Sequence, residues 1–412
     1  MPRLLRKSFF APVADASPAS STDSATTGNA MRERVQGALE DRFGERVARE
    51  ATLDRQGGHA SLRIYWRIEL PPPRRETIYP RGERVVRALA LPAPGLPKGA
   101  DEPLAPRDAA DGWPFVNVQR YLRRIGLPVP DVDHVDIGRG VLLIEDLGDE
   151  TFEDAVLAAA SGQAGGDPPG PLGSAAVARL YRRALDLVIA LHRAARRSDA
   201  DPTSGAAGEC VAFDRAFDRE ALRWELDHYR EWGLHARLGS NAVAPHEEAL
   251  SAPFDRLTGA LLDLPQTLAL KDLQSRNLMR KHGRWHLIDF QDALRAPFVY
   301  DLVALLRDSY VVLEDELVGE LLGYYVEEGA RAGLPWCDDP ERVKRAFHLQ
   351  TVQRKLKDAG RFIFVEREQG KNEFLPYYAP SVGYVQRALD ALAPEFADLR
   401  ETLDAVEPAF AS

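Results

Sequence analysis

The sequence predicts an α+β chain of two lobes, a small and mostly antiparallel N-terminal sheet followed by a larger helical C-terminal part. Three observations carry this expectation. Strand-like stretches with period-2 alternation concentrate before residue 150, helical spacing dominates from about residue 176 onward, and a short strand–loop–hairpin insert interrupts the helices near residues 267–289. No internal repeat is present. At 412 residues the chain is long enough for more than one lobe.

Residues 1–30 are rich in Ser, Thr and Ala and read as a disordered tail. Arg3, Arg6 and Lys7 precede Phe9–Ala14 in a faint likeness of a signal peptide, but the apolar piece is short and contains Pro12. Residues 31–148 form the expected N-lobe. In 31–50, Val35, Leu39, Phe43 and Val47 fall four apart, which predicts a helix. From Leu62 to Leu70 the apolar residues Leu62, Ile64, Trp66, Ile68 and Leu70 share one parity and Arg63, Tyr65, Arg67 and Glu69 the other, a strand with one dry face. Residues 83–91 predict a second strand, Pro92–Pro106 a loop, 114–125 an amphipathic helix ended by Gly126 and Pro128, and Val141–Leu147 a buried strand.

Residues 149–412 form the expected helical C-lobe. A Gly/Pro/Ala-rich loop at 160–174 leads into helices at 176–197 and 213–238. Thr267–Leu270 reads as a strand and Asn277–Asp289 as a hairpin turning at His282-Gly283. From Tyr300 the pattern is helical, interrupted from Arg361 to Pro380.

Composition narrows the function. A formal charge of −10 argues against non-specific binding to nucleic acid or an anionic membrane. Cys210 and Cys337 form no CxxC pattern, so no disulfide framework or zinc cage is implied, and a reducing cytoplasm is the natural setting. No apolar run approaches the ~20 residues that span a bilayer.

The chemistry centres on Lys271-Asp272-Leu273-Gln274-Ser275-Arg276-Asn277 and Leu287-Ile288-Asp289-Phe290-Gln291-Asp292. Phosphoryl transfer to a hydroxyl needs a base for the proton, hard oxygen ligands for Mg²⁺ and aligned phosphates. An Asp five residues before an Asn, on a loop after a strand, can aim one at the acceptor and the other at metal. A second Asp at the end of the following hairpin returns beside them. Asp272 is the candidate base, with Asn277 and Asp289 the candidate magnesium ligands. A lone D-x₄-N often only makes turns and caps; strand, loop, hairpin and Ile-Asp-Phe together carry the reading.

This segment resembles the catalytic loop and metal-binding motif of aminoglycoside-phosphotransferase-like kinases, and more narrowly the N-acetylmuramate/N-acetylglucosamine anomeric kinase family of bacterial cell-wall recycling. The narrower likeness adds Gly58–Arg67, Gly126-Leu127-Pro128-Val129-Pro130, Leu142–Asp149, Ile288–Ala293, Tyr300-Asp301-Leu302 and Gln353–Phe362, in family order over roughly residues 50–390. It implies a protein-kinase-like bilobal fold, ATP and Mg²⁺ as cofactors and an amino sugar as small-molecule substrate. It also implies a downstream nucleotidyltransferase that takes the sugar phosphate. The family's nucleotide hinge falls at Glu145–Leu147, and Gly57, Gly58 and Ser61 form the loop whose backbone could approach the phosphates; a plain hairpin turn is the competing reading.

Two departures stand out. Kinases of this class place a His two residues before the base, where this chain has Leu270, and an Arg or Gly directly before it, where this chain has Lys271. The strand at 83–91 offers no Lys for the phosphates, Lys98 lies in a Pro/Gly-rich loop, and the helix at 114–125 offers no Glu. Arg63 or Arg67 is therefore expected to supply phosphate charge, against the plainer reading of two solvated strand arginines. Asp301 reads as a helix cap or loop brace. Glu225, Trp232, Arg354 and Lys357 are the candidates for the acceptor pocket, carboxylate and aromatic for sugar hydroxyls and ring, cations for a lactyl carboxylate. Another acceptor (aminoglycoside, choline-like amino alcohol or different sugar) and a non-catalytic nucleotide-binding protein remain as alternatives.

Overall fold

The computed structural model describes residues 21–56, 64–74, 78–91, 113–161, 171–200 and 210–408. Gly57, Gly58, Ser61, Arg63 and Lys98, as well as the tail before Ser21, lie outside the described residues. The chain divides into two units, residues 1–119 with 129–148 and residues 120–128 with 149–412.

The first unit opens with helix α1 (Ser21–Phe43). It starts ten residues before the helix that apolar spacing predicts, inside the stretch read as disordered tail. A second break in expectation follows: Gly44, at φ 88°, separates α1 from α2 (Glu45–Glu50), so 31–50 is two helices rather than one. Strands β1 (Thr52–Gln56), β2 (Ile64–Glu69) and β3 (Val85–Ala90), helix α3 (Pro114–Arg124, its last residues in the second unit), β4 (Val132–Asp136) and β5 (Val141–Glu145) complete the unit. The strands pair antiparallel in the order β1-β2-β3-β5-β4. Trp66, Ile68 and Leu70 are buried with Val86, Ala88, Ala90, Val141 and Leu143 against Val35, Ala38 and Leu39 of α1. The alternation of β2 is thus realised: its dry parity makes the core, and Arg67 and its register partner Arg87 lie on the opposite face. Both edge strands, β1 and β4, were missed by the sequence reading. Their charged compositions, TLDRQ and VDHVD, suit edges and carry no apolar alternation.

The second unit contains α4 (Phe152–Ser161), α5 (Ala175–Ala200), α6 (Arg219–His228), a π-helical turn at Tyr229–His235, the short α7 (Ala236–Leu238) and α8 (Ser240–Val243), and α9 (Glu247–Leu262). The Asp218 side chain caps α6 by accepting from the Ala221 N–H, so the expected helix at 213–238 begins six residues late. Strand β6 (Gln266–Ala269), the hairpin β7 (Leu278–Lys281) and β8 (Arg284–Leu287), and β9 (Leu294–Pro297) follow, β6 pairing with β9. The hairpin turns where expected: His282 at φ 50° and Gly283 at φ 75° provide two consecutive left-handed residues. The unit ends with α10 (Tyr300–Leu306), α11 (Asp315–Arg331), α12 (Pro340–Gln369), α13 (Tyr378–Ala391) and α14 (Ala397–Val406). Helix α12 runs through the expected interruption as far as Gln369, where Gly370 in the left-handed conformation closes it. No described helix is long and apolar enough to cross a membrane.

Candidate active site

Strand β6 delivers the chain into the loop Leu270–Asn277, and the loop's conformation is held by carboxylates from elsewhere. Asp301, fully buried in the first turn of α10, accepts from the Leu270 N–H (2.7 Å) and the Lys271 N–H (3.2 Å). Asp308, just beyond α10, accepts from the Ser275 N–H at 2.7 Å. Burial pushes the Asp301 carboxyl up to about 7 against the two backbone N–H groups and Arg354, and burial also raises Asp308. The expectation that Asp301 braces rather than reacts is what the geometry contains. Leu270, in the place of the expected His, is a buried apolar side chain. Bracing here works through the main chain of Leu270, so the side chain at that position need carry no donor.

Asp272 is positioned from α12. Arg354 donates to the Lys271 carbonyl at 2.8 Å and to Asp272 Oδ1 at 3.2 Å, over the ring of Tyr300. Sequence reasoning expected Arg354 in the acceptor pocket. It is 1% exposed and its guanidinium is committed to the loop, so it orients the carboxylate instead. Burial alone would raise the Asp272 carboxyl, but Lys357, Arg354 and Lys271 together hold it below the ordinary carboxylate value.

Asn277 and Asp289 are brought together by the main chain. The Asn277 amide group donates to the Asp272 carbonyl at 2.7 Å, and the Asn277 carbonyl accepts from the Ile288 N–H at 3.1 Å. Gln291 donates to Asp289 Oδ1 (2.8 Å) and Asp292 Oδ2 (3.2 Å). Asp289 sits at φ 59°, a left-handed conformation that Asp tolerates better than most residues. With its NH₂ spent on the Asp272 carbonyl, Asn277 keeps its side-chain oxygen, and Asp289 has a carboxylate; hard oxygens of this kind would suit Mg²⁺.

The remaining acceptor candidates divide. Glu225, buried on α6, accepts from Gln353 at 2.6 Å, and its charge is felt at Lys271. Lys357, three residues along α12 from Arg354, acts on Asp272. Trp232 lies in the π-helical turn with its ring edge-on to Phe364 at 5.0 Å. Phe364 is ten residues beyond Arg354, about 15 Å along the axis of α12, and the Trp232 ring also lies 6.4 Å from that of His228.

In the first unit, Arg67 donates to Asp146 Oδ1 at 3.3 Å, and Arg87 donates to the same oxygen at 3.0 Å. Arg87 is not among the cations expected from the sequence, where the residue sought on that strand is a Lys. The signal was the register: Arg67 and Arg87 are direct cross-strand partners, and two facing like charges need an anion between them. The Glu145 carboxylate accepts from the Asp131 N–H, and its own N–H is taken by the Asp131 carbonyl, so Glu145 braces the end of the sheet. Leu147 is buried, and its main-chain N–H and C=O make no hydrogen bond among the described residues, leaving a donor–acceptor pair of the kind a nucleobase edge requires.

The chain is 32% identical over 300 residues to the N-acetylmuramate/N-acetylglucosamine kinase of Neisseria meningitidis serogroup B, covering 72% of this chain and 81% of that one. It is 30% identical to the N-acetylmuramate/N-acetylglucosamine kinase of Pseudomonas aeruginosa, over 74% of this chain and 82% of that one. Among solved structures, the choline kinase from Cryptosporidium parvum Iowa II superposes with a TM-score of 0.54 at 12% identity, covering 90% of this chain and 98% of that one, which shows the kinase-like fold. Residues 78–344 match the model of the phosphotransferase enzyme family, a span that contains Asp272, Asn277 and Asp289, and the chain belongs to that family.

Proposed function

We propose that this phosphotransferase uses ATP and Mg²⁺ to phosphorylate the anomeric hydroxyl of an N-acetylated amino sugar, N-acetylmuramate or N-acetylglucosamine. The observation that carries the acceptor class is the charge around Asp272, where the strongest fields come from Lys357, Arg354 and Lys271. An ammonium-bearing acceptor such as an aminoglycoside or choline would meet like charge there, which disfavours it. A neutral or acidic sugar would not. An anomeric hydroxyl is also more acidic than an ordinary alcohol, because the ring oxygen withdraws electron density, so a carboxylate of lowered basicity suffices. The names of the relatives at about 30% identity support the same acceptor.

In this reading Asp272 orients the acceptor hydroxyl and accepts its proton, and Arg354 keeps the carboxylate aimed. Asn277 and Asp289 would hold magnesium, which neutralises charge on the phosphates. Leu147 would meet the adenine edge, and Arg67 with Arg87 and Asp146 would shape the nucleotide side of the sheet. The sugar 1-phosphate so formed is an activated intermediate that a nucleotidyltransferase of cell-wall recycling would consume.

The test is a coupled ADP-release assay with ATP, Mg²⁺ and N-acetylmuramate, N-acetylglucosamine, other hexoses, choline and an aminoglycoside. Turnover on an N-acetylated amino sugar with loss of its reducing end is expected, and Asp272→Asn should lower kcat by roughly 10²–10⁴ with ATP affinity retained. Turnover confined to a cationic acceptor would overturn the acceptor class, and wild-type activity in Asp272→Asn would overturn the base.

A further inference from the structure

Lys271 stands directly before Asp272, and its side chain has no part in bracing the loop. Its backbone lies at φ 77°, where a residue with a Cβ is strained and glycine is not. Strain of this kind persists only where the surroundings over-determine it. Here Asp301 holds the Lys271 N–H and Arg354 holds the Lys271 carbonyl. Lys271 is half-buried, and its amine makes no hydrogen bond or ion pair among the described residues. Burial works against its charge, but Asp272, Asp292 and Glu225 outweigh burial and keep it protonated. Two of those acids already have amide donors, Asp292 from Gln291 and Glu225 from Gln353. A charged amine is thus held beside the base on a strained, doubly braced backbone, without a bonding partner of its own.

We propose that Lys271 is a further catalytic residue whose ammonium bonds the oxygens of the phosphoryl group in transit from ATP to the acceptor. The assignment rests on Asp272 as the base. The acceptor oxygen forms its bond to phosphorus, the bond from phosphorus to the ADP oxygen breaks, and ADP leaves with that electron pair. The hydroxyl proton passes to Asp272, and Lys271 keeps its own proton throughout. The group attached to the attacking oxygen at that moment is the phosphoryl, whose three oxygens carry the charge. A lysine one residue from the base lies beside that charge, and no lysine is offered by β3.

The experiment compares Lys271→Met, Lys271→Arg and Lys271→Gly in the full chain, with Asp272→Asn alongside. It measures kcat and both KM values with ATP and N-acetylglucosamine. By calorimetry it also measures binding of ADP–Mg²⁺ alone and of ADP–Mg²⁺ with aluminium fluoride, a mimic of the phosphoryl in flight. Lys271→Met is expected to lower kcat by roughly 100-fold with KM values little changed, the cost typical of losing one charge-stabilising donor. It should weaken the fluoride complex by a similar factor and leave ADP–Mg²⁺ binding as it was. Lys271→Arg should recover part of the loss. Lys271→Gly should melt no lower than wild type, its backbone strain relieved, yet lose kcat as Lys271→Met does. A raised acceptor KM with unchanged kcat, or an unweakened fluoride complex, overturns the proposal. If Asp272→Asn is inactive while Lys271→Met behaves as wild type, only the Lys271 role falls; if Asp272→Asn is fully active, both fall.

Discussion

At the scale of residues, the loop that carries Asp272 is shaped by charges taken out of water. Asp301 is fully buried, yet both its oxygens accept main-chain hydrogen bonds from the residues just before Asp272. Its folded-state carboxyl titrates near 7, above the ordinary value of 3.8. Between those values the folded chain keeps a proton that the unfolded chain has released. Stability therefore falls as pH rises through that window, by at most about 1.4 kcal/mol per pH unit. Asp301→Asn cannot ionise and should lack this slope. Urea midpoints from pH 4.5 to 8 are expected to show wild type losing ground to the variant up to about 7 and holding level above it. Parallel curves would mean that Asp301 is ionised throughout the range.

At the scale of elements, α12 is the organising piece of the second unit. Over 30 residues it supplies Gln353 to Glu225, Arg354 to the loop of Asp272, and Lys355 to Ser309 and to Asp358 on the same helix. A helix buried on several faces has no clean apolar stripe, which is why its course past Arg361 was not legible from spacing. Gly360, the glycine of the family-like segment, has a physical reason. A Cβ there would lie 2.7 Å from the Tyr229 Cα, so glycine lets α12 approach the backbone of the π-helical turn. Gly360→Ala should destabilise the protein by about 1–3 kcal/mol, the cost of overpacking against backbone that cannot turn aside. Thermal or urea unfolding checks this, and an unchanged midpoint would mean that the two elements can separate at little cost.

At the scale of the whole molecule, a chain of net charge −10 surrounds its candidate base with cations. The proposed nucleotide–metal site should also be visible in global stability, because a ligand that binds only the folded chain stabilises it by mass action, about 2.7 kcal/mol at a hundred times its Kd. A non-hydrolysable ATP analogue with Mg²⁺ should raise the unfolding midpoint. Chelation of the metal, or Asp289→Ala, should remove most of that rise, whereas Asp272→Asn should keep it. Equal shifts in all variants would place the metal elsewhere.

What the sequence determined by itself was local. The alternation of Ile64–Leu70, the hairpin turn at His282-Gly283 and the spacing of Asp272, Asn277 and Asp289 each depend on neighbours along the chain, and the order of the motifs was enough to indicate the family. Tertiary structure alone decided how the candidate site is held. Asp301 reaches Leu270 across 31 positions, Asp308 reaches Ser275 across 33 and Arg354 reaches Asp272 across 82. No periodicity marks such pairs. A buried charge is tolerated only where the fold supplies its partner, so whether Arg354 grips a substrate or the Asp272 carboxylate is decided by what stands opposite it once the chain has closed.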